Sequence, residues 1–277
     1  CAYTELAQIM IRNEADMYQK NSLKKGGWKG WRSFVISKIV AESGEINSFY
    51  LTPEDNKEIA DFFPGQYVSI STFIPELGHK QPRQYSLSST SNNEYYRISV
   101  KKEIGQTTPD GIVSNALHDK IVGDLLQVSA PAGLFYADPE AKNPLVLVSG
   151  GVGLTPMMSM VETNKNALQR NQTVWIHSCR NENVHAFKDT IEELNNEKTW
   201  LKSFVFYETL PETETNAIEG RIDLQQIKEE ILIEDAKYYI CGPAVFIKVQ
   251  YQSLVGLGVS RENILYEEFG PQLLSLN

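Results

Sequence analysis

The chain has 277 residues, 42% of them apolar and 22% charged, and its 26 basic side chains against 35 acidic ones leave a net charge of −9. That length suits two domains with real cores, and the composition excludes a disordered chain. The acidic balance, without a long Lys/Arg run, excludes nucleic acid and anionic membrane as partners. Cys1, Cys179 and Cys241 form no C-x-x-C pair and no C-x4-C-x2-C run, so a disulfide framework, a zinc site and a plant-type iron-sulfur centre are not expected. No apolar run reaches the roughly 20 residues of a membrane span and no signal peptide opens the chain, so a cytoplasmic protein is expected.

In chain order, "AYTELAQIMIRNEADMY" (2–18) spaces Leu6, Ile9, Met10 and Met17 as one face of an amphipathic helix. "QKNSLKKGGWKGW" then reads as a linker. From Trp31 to about Tyr136, "RSFVISKIV", "INSFYLTP", "QYVSIST", "QYSLSS", "YYRISVKK" and "DLLQVSAP" are short β-branched and aromatic runs bounded by turn residues. Such runs predict an antiparallel barrel or sandwich, interrupted by a helix at "GIVSNALHD" with Ser114 as its cap and Leu117 facing inward. From Pro144 on, apolar strands ("LVLVSG", "TVWIHSC", "SFVFYE", "KYYICG") alternate with helical runs ("TPMMSMVETNKNA", "AFKDTIEELNNE", "DLQQIKEEI", "AVFIKVQYQSLVGLG"). That alternation predicts an α/β unit, a doubly wound parallel sheet covered on both faces. The expected organisation is residues 1–18, a linker at 19–28, a β-barrel domain at 29–141 and an α/β domain at 142–277.

Two motifs carry chemistry. In "LVLVSGGVGLTPMMSM" (145–160) a buried strand enters Gly150, Gly151 and Gly153, and Thr155-Pro156 starts a helix, with Pro156 suited to the first helical position. By themselves these residues fit a phosphate-binding turn and a plain tight turn equally well. In "RQYSLSS" (83–89), Arg83, Tyr85 and Ser86 can offer a phosphate clamp, an aromatic face and a hydroxyl to one flat, charged ligand such as a flavin nucleotide. Taken singly, an edge strand with one exposed arginine is the simpler account. His177, His185, His118 and His79 lack partners at metal-ligand spacing and are expected to serve packing.

"RQYS", "GIVSN", "GGVGLTP", "CGPAVF" and "EEFGP" follow one another in that order, together with "PGQYVS", "SAPAGLF", "NENVHAF" and "LGVSRENILYEEFGP". The series resembles the ferredoxin reductase superfamily and, more narrowly, the reductase half of flavohaemoglobin, the nitric oxide dioxygenase family. The resemblance implies an FAD-binding barrel followed by an NAD(P)-binding domain. Residues 2–18 resemble the family's last globin helix, which would make the chain a fragment or truncated form. Glu14 matches an acid of the proximal haem pocket but stands here without its partners.

For FAD, the resemblance implies that Arg83 holds the pyrophosphate, beside Gln84. Tyr85 lies against the isoalloxazine, Ser86 bonds near N5 and Tyr67 adds a contact. Gly111, Ile112, Val113, Ser114 and Asn115 form a second phosphate turn. Glu268, Phe269, Gly270 and Pro271 match the C-terminal flavin segment, and Glu267 an acid that tunes potentials. The second acid, Glu268, departs from the common pattern and leaves the division of roles open. For the nicotinamide cofactor, Gly151, Val152, Gly153, Leu154, Thr155 and Pro156 match the pyrophosphate turn. Cys241, Gly242 and Pro243 match the segment beside the nicotinamide. The residues implied to act in catalysis are Ser86, Tyr85, Cys241 and Glu267.

The implied activity is hydride transfer from NAD(P)H to FAD, then single electrons to a haem or another one-electron acceptor, with haem b only in a form that carries the globin. No general acid or base is required. A reductase serving a cytochrome or monooxygenase component, and a flavin-binding module without turnover, are the alternatives. The strand "TVWIHS" ends in Cys179-Arg180-Asn181 without the acid that grips the ribose of NAD, so Arg180 could meet a 2′-phosphate or only solvent.

Overall fold

A computed structural model describes residues 23–105, 110–197, 199–213 and 215–269. The helix expected at 2–18, Glu14, Gly270 and Pro271 lie outside the described residues.

The first half is a six-stranded antiparallel sheet. Its strands are β1 (Arg32–Ala41), β2 (Ile46–Pro53), β3 (Tyr67–Ile74), β4 (His79–Ser86), β5 (Tyr96–Lys101) and β6 (Leu125–Val128), in the order β4-β3-β6-β1-β2-β5. The two edges meet where Leu87 bridges Ile98 and Ser88 N donates to Arg97 O at 2.8 Å, so the sheet closes as a barrel. Phe34 and Ile36 of β1, Phe49 and Leu51 of β2, and Val68 and Ile70 of β3 alternate into its interior. Helix α1 (Ile112–His118) packs Val113 and Leu117 on that core. Its N-cap is Gly111 rather than Ser114, which sits inside the first turn and donates its Oγ back to Gly111 O at 3.0 Å. A serine hydroxyl spent on that carbonyl leaves the helix start without a side-chain cap.

The second half is a parallel sheet of β7 (Leu145–Gly150), β8 (Thr173–Cys179), β9 (Leu201–Tyr207), β10 (Ile218–Glu219), β11 (Lys237–Gly242) and β12 (Ile264–Glu268). Helices α2 (Leu154–Asn166), α3 (Lys188–Asn196), α4 (Lys228–Ile231) and α5 (Ala244–Gly256) cover it. The unbroken apolar sequence of β7 follows from burial on both faces. Leu145 and Leu147 join one core, with Met157 and Trp175, while Val146 and Val148 join the other, with Ile176 and Ile247.

Four elements depart from expectation. The strand read from "QYSLSS" lies earlier, at His79–Ser86, because β4 pairs with β3 from Ile74↔His79 to Tyr67↔Ser86. "DLQQIKEEI" is a 3-10 turn (Leu224–Ile227) followed by the short α4, not one helix. β10 and β12 were not anticipated as strands. A polar seam joins the halves: Arg97 of the barrel pairs with Glu162 of α2 at 2.8 Å, Glu162 Oε2 accepts from Thr90 N at 3.1 Å, and Ser159 Oγ donates to Ser89 O at 2.7 Å.

Candidate active site between the barrel and the parallel sheet

The parallel sheet runs β10-β9-β8-β7-β11-β12, so the chain moves outward from β7 in one direction and, after β10, resumes on its other side. The order reverses between β7 and β11. In such sheets the crevice at the carboxyl ends of those two strands is where nucleotides bind. Here it is bounded by Gly150–Gly153 after β7 and by Cys241-Gly242-Pro243 at the end of β11.

The two central glycines of the turn have different reasons to be glycine. Gly151 has φ 55°, a left-handed conformation, and a Cβ there would meet nothing within 4 Å. The backbone turns tightly beside open space, as a phosphate cradle requires. Gly153 is closed in: a Cβ would overlap the Cys241 carbonyl and lie 2.8 Å from Gly242 N. The turn is thereby pressed against the end of β11. Val152 is half-buried on the core, and Leu154, Thr155 and Pro156 are buried in the first turn of α2. Pro156 is the third helical residue, not the first, because the helix opens at Leu154. Its missing N–H still falls among the four donors that have no partner inside a helix.

On the barrel side, β4 ends in Ser86, paired in register with Tyr67. Tyr67 also pairs with Ala132, and a Cβ on Gly133 would sit 3.1 Å from its ring, so glycine there leaves space for the tyrosine. Tyr85 is half-buried, and burial raises its phenol above the ordinary value. Arg83 and Gln84 are exposed on the edge strand, and Arg83 donates to Pro82 O at 2.8 Å. Around α1, Ile112 is exposed while Val113 belongs to the barrel core. Asn115 donates to Glu103 O at 3.2 Å, leaving its Oδ1 buried without a partner. A buried acceptor without a donor fits a segment that takes a ligand.

Ser86, Cys241 and Glu267 come together where the halves meet. β11 and β12 pair Cys241 with Glu267 and Gly242 with Glu268, and Ser86 reaches across to donate a long, 3.5 Å hydrogen bond to Glu267 Oε2. Phe269, half-buried, donates its N–H to Gly242 O at 3.0 Å. Burial pushes the Glu267 carboxyl up to about 8, against the smaller pull of the Ser86 hydroxyl. Burial, aided by the Glu267 charge, pushes the Cys241 thiol well above its usual range. The raised thiol makes Cys241 a compact thiol and not a nucleophilic thiolate, and burial biases Glu267 toward its protonated form. Gly151 beside open space and the unpartnered Asn115 acceptor are what a dinucleotide and a flavin nucleotide would need from this chain.

Arg180 stands apart from this cluster: it follows β8 and pairs closely with Glu45 of the β1–β2 turn. No feature of the sequence pointed to Glu45, because 135 residues separate the partners. The Arg97–Glu162 seam was equally invisible. His177 and His185 are buried and stacked, with ring centroids 4.8 Å apart. His177 Nδ1 lies 2.9 Å from Ser149 Oγ, and His185 Nδ1 lies 2.7 Å from the Tyr207 hydroxyl. His118 Nε2 lies 2.8 Å from Val100 O, and the exposed His79 places Nδ1 2.8 Å from Leu77 O, two residues before it. Among the described residues no group of three His, Cys, Asp or Glu side chains is placed to hold a metal. Among the same residues no helix is long and apolar enough to cross a membrane.

A flavin-type barrel against a parallel sheet with a glycine turn at its switch point defines an oxidoreductase of the ferredoxin reductase class. Residues 33–136 match the oxidoreductase FAD-binding domain family and residues 147–252 the oxidoreductase NAD-binding domain family. The chain is 46% identical over 285 residues to a flavohemoprotein of Rhizobium meliloti, covering 99% of this chain and 69% of that protein. It is 44% identical over 275 residues to one of Bacillus cereus, covering 98% and 68%. It superposes with a TM-score of 0.76 and 35% identity on the FAD/NAD-binding domain of nitric oxide dioxygenase from Vibrio cholerae, covering 87% of this chain and 99% of that one. A flavohemoglobin of Malassezia yamatoensis with bound FAD and heme gives a TM-score of 0.78 at 25% identity, covering 97% and 66%. The chain belongs to the flavohemoprotein family, and it is an NAD(P)H-dependent flavin oxidoreductase that uses FAD.

Proposed function

We propose that the switch-point crevice holds the nicotinamide dinucleotide and that β4, α1 and the end of β12 hold FAD against it. The two functional units are then residues 29–141 and 142–277. When bound, FAD accepts a hydride from NAD(P)H and gives up electrons singly. The protein's part is to bind, orient and exclude water. Gly151 to Pro156 receive the dinucleotide pyrophosphate, and Cys241, Gly242 and Pro243 line the nicotinamide end. Arg83 neutralises the flavin pyrophosphate, with Gln84 and the Gly111–Asn115 backbone beside it. Tyr67 and Tyr85 flank the ring, and Phe269 with Glu268, Gly270 and Pro271 closes it off. Ser86 offers its hydroxyl at the reacting edge.

The observation that carries this reading is the convergence of Ser86, Cys241 and Glu267 from three strands of two sheets. A protonated Glu267 and a neutral Cys241 keep fixed negative charge out of a crevice that must accept a hydride. We propose further that the natural one-electron acceptor is a haem and that the chain serves nitric oxide removal. The likeness to the Vibrio nitric oxide dioxygenase supports this.

The test is optical. Purified protein supplied with FAD should be yellow, bleach under NADH or NADPH without oxygen, and show diaphorase activity with artificial acceptors. A colourless protein inert to both nucleotides sinks the reading. For the acceptor, the reduced protein is mixed with a ferric flavohemoprotein globin. Haem reduction supports the proposal, and its absence while cytochrome c is reduced points to another acceptor.

A further inference from the structure

The segment after β8 is where a two-strand nucleotide site meets the adenosine ribose, and an acid there commonly accepts the 2′-hydroxyl of NAD. In this chain that place is held by Arg180. β8 pairs Ser178 with Gly150, so Arg180 leaves the sheet alongside the glycine turn. Its backbone is fixed, its carbonyl accepting from Thr209 N at 3.0 Å. An arginine there would ordinarily favour the 2′-phosphate of NADPH. Its guanidinium, however, is taken by Glu45, whose side chain is only 19% exposed against 54% for Arg180.

Glu45 is no wandering surface acid. Its carbonyl accepts from Lys102 N at 2.8 Å, its own N–H donates to Ser43 Oγ at 3.4 Å, and Gly44 N donates to Asn183 O at 2.9 Å. The tip of the β1–β2 turn is therefore tied at once to β5 and to the loop after Arg180. Its charge reaches the end of β8, where it helps raise the Cys179 thiol after burial has done most of the work. The other lysine or arginine of residues 180–188, Lys188, is likewise engaged, closely by Glu182 and at 3.8 Å by Glu192.

We propose that Glu45, reaching over from the barrel, selects NADH over NADPH by occupying Arg180 and supplying the acid that the end of β8 lacks. A 2′-phosphate could take Arg180 only by displacing a carboxylate that is anchored through its backbone and largely out of water. It would then lie beside that carboxylate with nearly two negative charges of its own. A ribose hydroxyl meets no such conflict and can donate to the same carboxylate. The proposal rests on the switch-point crevice being the dinucleotide site.

The test uses the full chain loaded with FAD and the oxidised dinucleotides, so that no turnover intervenes. Dissociation constants for NAD+ and NADP+ are measured by calorimetry for the wild type, Glu45→Gln and Glu45→Gln/Arg180→Gln. The wild type should favour NAD+ by about tenfold or more, Glu45→Gln should shift the ratio toward NADP+ by about tenfold, and the double variant should lose that gain. A ratio in Glu45→Gln within about twofold of wild type overturns the role of Glu45 alone. A wild-type preference for NADP+ overturns it with no variant needed. Binding of neither dinucleotide overturns the crevice reading along with it.

Discussion

The two halves of the site are built from different materials. In the proposed assignment the flavin side relies on side chains: Arg83 and Gln84 are exposed on an edge strand whose register β3 fixes, while Tyr85 is half-buried against the barrel core. The proposed nicotinamide side relies instead on backbone, shaped by Gly151 and Gly153 and wedged against Cys241. Side-chain recognition separates from folding; backbone recognition does not. Substitutions ranked by their effect on stability should therefore run from the seam, through the glycine turn, to the edge strand.

The largest loss is expected at the seam. Glu162→Ala strips the partner from Arg97, whose side chain is 8% exposed, and also leaves Thr90 N without its acceptor. Removing one member of a buried pair costs about 3–5 kcal/mol. Chemical denaturation should show that loss, while Glu162→Gln, which keeps an acceptor for Thr90, should recover part of it. An effect below about 1 kcal/mol would mean that the seam is a solvated surface pair.

Next comes Gly153→Ala, which drives a methyl into the Cys241 carbonyl. Overpacking of this kind costs about 1–3 kcal/mol, and here it pushes the glycine turn away from β11. The variant should keep its FAD yet lose most of its NAD(P)H-driven bleaching. Gly151→Ala, with open space around it, should lose only the roughly 1–2 kcal/mol of a left-handed alanine. Equal losses in the two variants would erase the distinction between a wedged and an open glycine.

The same division explains what the sequence disclosed. β7, β8 and β11 were legible to the residue because burial on both faces forces unbroken apolar runs between breakers. β4, with the sequence HKQPRQYS, carries almost no apolar signal, since an edge strand facing water is held by register alone. β12 mixes Tyr266, Glu267 and Glu268 and hid for a related reason: it is the outermost strand of its sheet, so its acids are only partly buried. Motifs with local geometry, such as the glycine turn, could be found. Glu45 against Arg180 and Arg97 against Glu162 are products of docking two domains, and no spacing in the chain encodes them.

Titration separates the halves again. Glu267 at the seam is raised to about 8 by burial, so the folded state holds a proton that the unfolded chain releases. Stability therefore falls as pH rises toward 8. Between pH 6.5 and 8 neither stacked histidine interferes, because burial lowers His177 and takes His185 down to about 4. Those imidazoles, neutral when folded, withdraw stability as pH falls from 6.5 toward 4. Discounted for the partial exposure of Glu267, the alkaline limb should amount to about 1 kcal/mol, or roughly 2–4 °C in Tm. Glu267→Gln should flatten that limb and, because Glu267 opposes the imidazoles between pH 4.5 and 6.5, steepen the acid limb. An unchanged alkaline slope would mean that Glu267 is ionised throughout.

The smallest effect on stability, and the sharpest on function, belongs to Arg83→Ala. The exposed guanidinium of Arg83 donates to Pro82 O of its own strand. Its loss should change unfolding free energy by no more than about 0.5 kcal/mol. A charge-assisted bond to a phosphate contributes about 1.5–3 kcal/mol, so FAD affinity should fall roughly ten- to hundredfold, read as flavin released on gel filtration and restored by excess FAD. Lysine at this position should recover part of the affinity, as a point charge without the planar fork. If Arg83→Ala instead lowers the unfolding free energy by more than about 1 kcal/mol while FAD affinity is unchanged, side-chain recognition on the edge strand is wrong, and the barrel, like the glycine turn, binds through its frame.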